Sequence, residues 1–145
     1  MAVVRHTILS AGLVIYAILS ADDDIRSLIS DSDPADEVNK PRLRLYPVIS
    51  QLEDKFPCVV YSRVGAESGP VKVGTPPRTV QMSVQVYSRD YIESVILAEL
   101  VLAALDNRTY DDGIIRMYSC RMTDSSEAAF ETGIYMQELI FNINI

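Results

Sequence analysis

Arg78-Thr79-Val80-Gln81-Met82-Ser83-Val84-Gln85-Val86-Tyr87-Ser88, continued through Arg89 into the run Asp90 to Leu105, is the stretch whose reading decides the fold. Val80, Met82, Val84 and Val86 alternate with Thr79, Gln81, Ser83, Gln85 and Tyr87, the period-two pattern of a strand with one buried face. Asp90 then precedes Glu93 by three positions, a capping-box-like start with Asp in place of Ser or Thr. The apolar run that follows predicts a helix ending near Leu105. A strand therefore feeds directly into a helix.

That helix is more apolar than one packing surface requires. Between Val95 and Leu105 the residues are VILAELVLAAL, with Glu99 the one charge. At about 100° per residue, Val95, Ile96, Leu97, Leu100, Val101, Leu102 and Leu105 occupy nearly the whole circumference. Two readings stay open: a central core helix, or a helix buried partly against another subunit. Under the second, Leu97, Leu100 and Val101 are the candidate contact residues.

Outward from this unit, the 145 residues fit a single domain spanning 1–145. A chain of this length buries about 70% of its unfolded surface and needs no staples. The expected fold class is α+β, a two-layer α/β arrangement. Its mostly antiparallel or mixed sheet of about four to six strands packs against an N-terminal helix and the central helix. Thirteen Lys and Arg stand against twenty Asp and Glu, a net charge of −7. That balance disfavours tight attachment to phosphate backbones.

Toward the N-terminus, Arg5, His6, the apolar run Thr7 to Leu19 and then Leu19-Ser20-Ala21 imitate a secretory signal with its cleavage site. Against this, Val4, Ile8, Ala11, Ile15, Ile18, Ile25 and Ile29 keep alternating four and three spacings if Asp22 is counted as a member. That stripe predicts an uncleaved amphipathic helix, with Ser20 or Asp22 capping a second short turn that ends near Ile29. Thirteen apolar residues also fall short of the roughly 20 that span a bilayer.

Asp22 to Glu37 carries seven acidic residues against Arg26. Asp31-Ser32-Asp33 opens like a calcium loop, but Asp36 stands where the glycine belongs and Arg42 where the twelfth-position Glu belongs, so a solvated acidic loop is expected. Lys40, Arg42 and Arg44 alternate with Pro41, Leu43 and Leu45 ahead of Tyr46-Pro47, which suggests a short edge strand closed by proline. Its charges either pair with the acidic loop or face a partner. Ser50 to Phe56 suggests a helical turn or loop, and Pro57 to Tyr61 a strand.

Ser62 to Arg78 holds Gly65, Gly69, Pro70, Gly74, Pro76 and Pro77 and is expected to be a long hairpin loop. It lacks a phosphate-binding ending, and its functional reading is docking on a neighbour through Gly65, Gly69, Pro70, Val71 and Lys72. After the helix, Asn107 to Gly113 carries Asp-Gly turn chemistry. Ile114 to Met122 and Gly133 to Ile145 are expected strands, separated by the polar stretch Thr123 to Glu127. In the last, Tyr135, Gln137, Leu139, Phe141, Ile143 and Ile145 share a face, which places the chain end inside the sheet.

No catalytic, cofactor-binding or metal-binding residues are assigned. His6 is the only histidine, and Cys58 and Cys120 sit in apolar, strand-like segments as expected reduced core thiols. The carboxylate pairs Glu53/Asp54, Asp111/Asp112 and Glu127/Glu131 have nothing to set them across a cleft. Gly-x-Ser-x-Gly, dinucleotide and Cys-x-x-Cys motifs are missing from the sequence. The expectation is a protein that is not an enzyme and carries no cofactor.

Arg44-Leu45-Tyr46-Pro47-Val48, Phe56-Pro57-Cys58-Val59-Val60-Tyr61, and Val84-Gln85-Val86-Tyr87-Ser88 with a helix closing on Ala103-Ala104-Leu105 resemble the tail terminator or tail completion proteins of long-tailed bacteriophages, over about Ile8 to Phe141. The resemblance implies a small α/β protein assembling as a homo-oligomeric ring, hexameric in most of the family, on the head-proximal end of the tail tube. It would stop tube growth and join the tail to the head. The implied partners are the tail tube protein and the head–tail connector protein, with DNA passing through without specific binding and no membrane. The implied location is the virion, after assembly in the host cytoplasm. The acidic segment Asp31 to Glu37 is longer than the family pattern. A neck or head completion protein, or a small binding module using the 62–78 loop, are the alternatives.

Overall fold

Hydrophobic spacing organises the helical layer. The computed structural model describes residues 8–31, 42–48, 55–66, 79–130 and 132–145. A 3-10 turn at Ile8–Ser10 leads into α1 (Ala11–Ala21), and α2 (Asp23–Ile29) follows at once. Ala11, Ile15, Ile18, Ile25 and Ile29 are all buried, as their spacing requires, together with Val14 and Leu19. Of the two expected caps, Asp22 is the one used: its Oδ1 accepts the Ile25 N–H at 3.0 Å, while Ser20 Oγ donates to the Ala17 carbonyl. The stretch that imitates a signal is thus part of the core. Val4 lies outside the described residues, and among those described no helix is long and apolar enough to cross a membrane.

Two short strands, β1 (Ser30–Asp31) and β2 (Arg42–Leu43), pair antiparallel. Five further strands make the main sheet: β3 (Leu45–Pro47), β4 (Cys58–Ala66), β5 (Thr79–Ser88) and, past a separate small hairpin of β6 (Tyr110–Asp111) and β7 (Arg116–Met117), β8 (Ser119–Phe130) and β9 (Ile134–Asn144). The order is β3-β4-β5-β9-β8. β3 runs parallel to β4 and the other pairs are antiparallel. The fold is therefore α+β with a mixed sheet, as expected. β3 is the proline-ended edge strand, and β9 lies inside the sheet, between β5 and β8.

The strand-to-helix unit forms as the sequence dictates. Val80, Met82, Val84 and Val86 face the helices, and α3 (Tyr91–Leu105) begins at Asp90, whose Oδ1 accepts the Ile92 N–H at 3.0 Å. The capping box differs in its second half. Glu93 Oε1 accepts from Ser88 Oγ at 2.8 Å, and that oxygen in turn accepts the Asp90 N–H at 3.1 Å. The last residue of the strand thus relays between cap and helix. α3 packs on β5 and β9, and α1 packs on β4 and α3.

Besides the expected strand Ile114 to Met122, which is divided at Tyr118 into β7 and β8, three segments differ from the sequence reading. Ser62 to Ala66 is strand, not loop: β4 pairs with β5 as far as Ala66↔Val80, with Val64 the extra residue at a register shift between Arg63 and Gly65. The polar stretch Thr123 to Glu127 also continues as strand, because β8 pairs with β9 out to Phe130↔Ile134. Backbone pairing on an edge needs no buried side chains, so no hydrophobic pattern marks it. Third, the far face of β5 is not open, since Ser83 and Tyr87 are buried at 3% and 9% exposure. The Asp-Gly turn does form, with Gly113 at φ 85°, between β6 and β7. Residues 32–41, 49–54 and 67–78 lie outside the described residues, and with them the acidic segment past Asp31, Lys40 and most of the expected turn and long loop.

Candidate assembly surfaces

The phase of α3 on the sheet sorts its apolar residues. Leu97, Val101 and Leu105 are fully buried, and Ala98 and Ala104 are nearly so. Leu100 and Leu102 are half-buried against the same core. What faces outward is Ile92 at 67% and Ile96 at 48%, continued by Glu99 and Ala103. Leu97 and Val101 are thus corrected as contact residues: each is spent inside its own core, and only Leu100, in part, reaches the surface. Glu99 was the usable signal. It marks the solvent side, and counting back three and seven positions from it gives Ile96 and Ile92.

α1 and the 3-10 turn ahead of it carry a second outward ridge. Leu9 at 69%, Leu13 at 60% and Tyr16 at 44% exposure follow a four-then-three spacing on the side away from Val14, Ile15 and Leu19. Tyr16 also lies 6.4 Å, centroid to centroid, from the Tyr61 ring of β4. Each of these partly exposed Leu and Ile side chains forgoes a share of the about 1.5–3 kcal/mol that full burial supplies. These side chains form the apolar surface of the helical layer.

The opposite face of the sheet has a different character. Cys58, Val60 and Tyr87 form a small buried cluster flanked by Tyr46, Phe56, Ile134 and Met136. Beside it, Glu138 Oε2 accepts from Ser83 Oγ at 3.0 Å and Gln85 Nε2 at 2.7 Å, and Tyr87 donates to Gln85 Oε1 at 2.6 Å. Burial first, then Cys58 and Glu138 nearby, raise the Tyr87 pKa. At the margin, Phe130 stacks on Tyr87 and the Arg89 guanidinium lies 5.3 Å over Phe56.

Arg44 connects the layers. Its Nε donates to the Pro57 carbonyl at 2.7 Å and an Nη to the Leu28 carbonyl at 2.9 Å, so part of this cation's role is to hold backbone together. Both thiols are free and fully buried. Burial pushes Cys58 and Cys120 up to about 12, with Arg44 opposing the shift at Cys58 and Asp106 adding to it at Cys120. Neutral, enclosed thiols are poor nucleophiles and poor metal ligands. Among the described residues no group of three or more His, Cys, Asp or Glu could hold a metal ion. Gly65 sits half-exposed at the β4 irregularity, and Gly69, Pro70, Val71 and Lys72 lie outside the described residues.

No family model matches the sequence, and no curated protein matches it. Among solved structures, the chain is similar to one from the virion of a native gene transfer agent (GTA) particle. The TM-score is 0.64 at 13% identity, covering 90% of each chain. At that identity the likeness is one of fold.

Proposed function

We propose that this protein is a structural component of a phage-like virion, and within it a ring-forming tail terminator at the head-proximal end of the tail tube, acting without catalysis. The observation that carries this reading is the fold shared, over 90% of both chains, with a chain of a gene transfer agent virion. The strings around Tyr46, Tyr61 and Tyr87 support the finer reading through their resemblance to tail terminators.

Physical features are consistent with it. A closed ring needs heterologous contacts on each subunit, and the outward ridges of α1 and α3 supply apolar surface for them. The net charge of −7 suits a conduit that DNA crosses without sticking.

The test is negative-stain imaging with mass measurement by light scattering, on the natural chain and on Ile92→Glu/Ile96→Glu. Rings with a hole about as wide as a duplex, lost in a variant that keeps its circular dichroism, are the expected result. A natural chain that stays monomeric both at high concentration and with tail tubes added overturns the ring. Tight duplex binding at moderate salt overturns the conduit.

A further inference from the structure

The two edges of the main sheet are finished differently. β3 is three residues long and ends at Pro47, which offers little to pair with. β8 is twelve residues long and contains no proline or lysine. Its first half is covered by the turn after α3. The N–H of Asn107, a residue at φ 59°, donates to the Cys120 carbonyl at 2.8 Å, and Met122 N–H donates to Asp106 Oδ1 at 3.0 Å.

Past the irregularity at Met122/Asp124 that cover ends, and every residue from Thr123 to Phe130 is exposed. Asp124, Ser126, Ala128 and Phe130 stand opposite Ile140, Glu138, Met136 and Ile134. The Gly133 N–H to Phe130 carbonyl bond that closes the hairpin marks Phe130 as pointing inward to β9. Antiparallel alternation then turns the backbone groups of Ser125, Glu127 and Ala129 outward. The Ser125 N–H is taken by Asp124 Oδ1 at 2.8 Å. The N–H groups of Glu127 and Ala129 and the carbonyls of all three face solvent.

We propose that the open half of β8, from Asp124 to Phe130, is a docking edge that takes an extended, basic segment of another protein as an added strand. Charge selects the occupant. The exposed half carries Asp124 and Glu127 and no Lys or Arg. Ser125, Ser126, Ala128 and Ala129 are small enough to let a strand approach. A second copy of the same edge is disfavoured, because the two-fold register that pairs all three outward residues sets Glu127 against Glu127. Main-chain bonds would supply affinity, and Asp124 and Glu127, whose Oε2 also accepts from Tyr91 Oη and Gln137 Nε2 at 3.0 Å each, would choose Lys- or Arg-bearing side chains. This inference does not depend on the ring.

Amide exchange followed by NMR tests it on the full chain, with a synthetic peptide alternating Lys with Thr and a matched peptide alternating Glu with Thr. The Lys peptide is expected to slow exchange at Glu127 and Ala129 saturably, by about tenfold or more, with the effect falling as salt rises. Glu127→Lys, which keeps the backbone donors, should abolish it. Equal slowing by the Glu peptide, no slowing by either, or slowing that follows protein concentration without peptide overturns the proposal.

Discussion

β8 and β9 lie side by side, are nearly equal in length and are paired from Ser119↔Asn144 to Phe130↔Ile134, yet they are stabilised by different means. β9 sits between two strands with α3 above it, and Leu139, Phe141 and Ile143 are buried. β8 has one partner strand, and beyond Met122 its side chains are all exposed. The strand inside the sheet is held by hydrophobic burial as well as hydrogen bonds. The strand at the edge is held mainly by the backbone of its neighbour, with surface contacts such as Tyr91 Oη to Glu127 and the Phe130–Tyr87 stack added to it, so its side chains stay at the surface.

Mutations can break or sharpen this contrast. Phe141→Ala should cost about 3–5 kcal/mol in chemical denaturation, the penalty for emptying a fully buried aromatic site. A loss under 1 kcal/mol would mean that β9 is not the buried strand. Asp106→Ala should cost about 1 kcal/mol and speed exchange at the Met122 amide, because the covered half of β8 then loses its acceptor. Unchanged protection there would show that the α3 turn does not finish this edge.

Ser126→Ala, on the open half, should fall within about 0.5 kcal/mol of the natural chain. The smallest effect belongs to the β6–β7 hairpin, off the main sheet. There the N–H groups of Ile115 and Ile114 hold the Asp112 carboxyl below its ordinary value. That contribution is complete above the ordinary carboxylate pKa and is lost as the pH falls through the lowered one. Asp112→Asn should therefore flatten the acid limb of the stability profile slightly, in a titration by circular dichroism.

Much of the fold is legible because burial writes periodicity into a sequence. Val80 to Val86, the four-three stripe of Ala11 to Ile29 and the shared face of Leu139, Phe141 and Ile143 each predict an element that forms. Asp22, Asp90 and Gly113 punctuate where the local chemistry of caps and turns says they should. The second half of β8 is illegible for the converse reason: a strand with both faces in water has no period to show. The candidate surface on α3 was half legible. Its excess of apolar residues is visible in the sequence, but Leu97 and Val101 lie on the buried side, opposite the phase that Glu99 marks.

The sequence by itself determined which segments are helix and strand wherever a face is buried, because side-chain hydrophobicity alternates with the backbone's own repeat. Tertiary structure alone decided three things: the insertion of β9 between β5 and β8, the extension of β8 through polar residues, and the exposure of Ile92 and Ile96 with Leu97 enclosed. Each depends on a neighbour distant in the chain. Backbone pairing is indifferent to side-chain identity, and an all-round apolar helix has no local preference for which side it buries. Contact with the sheet makes that choice.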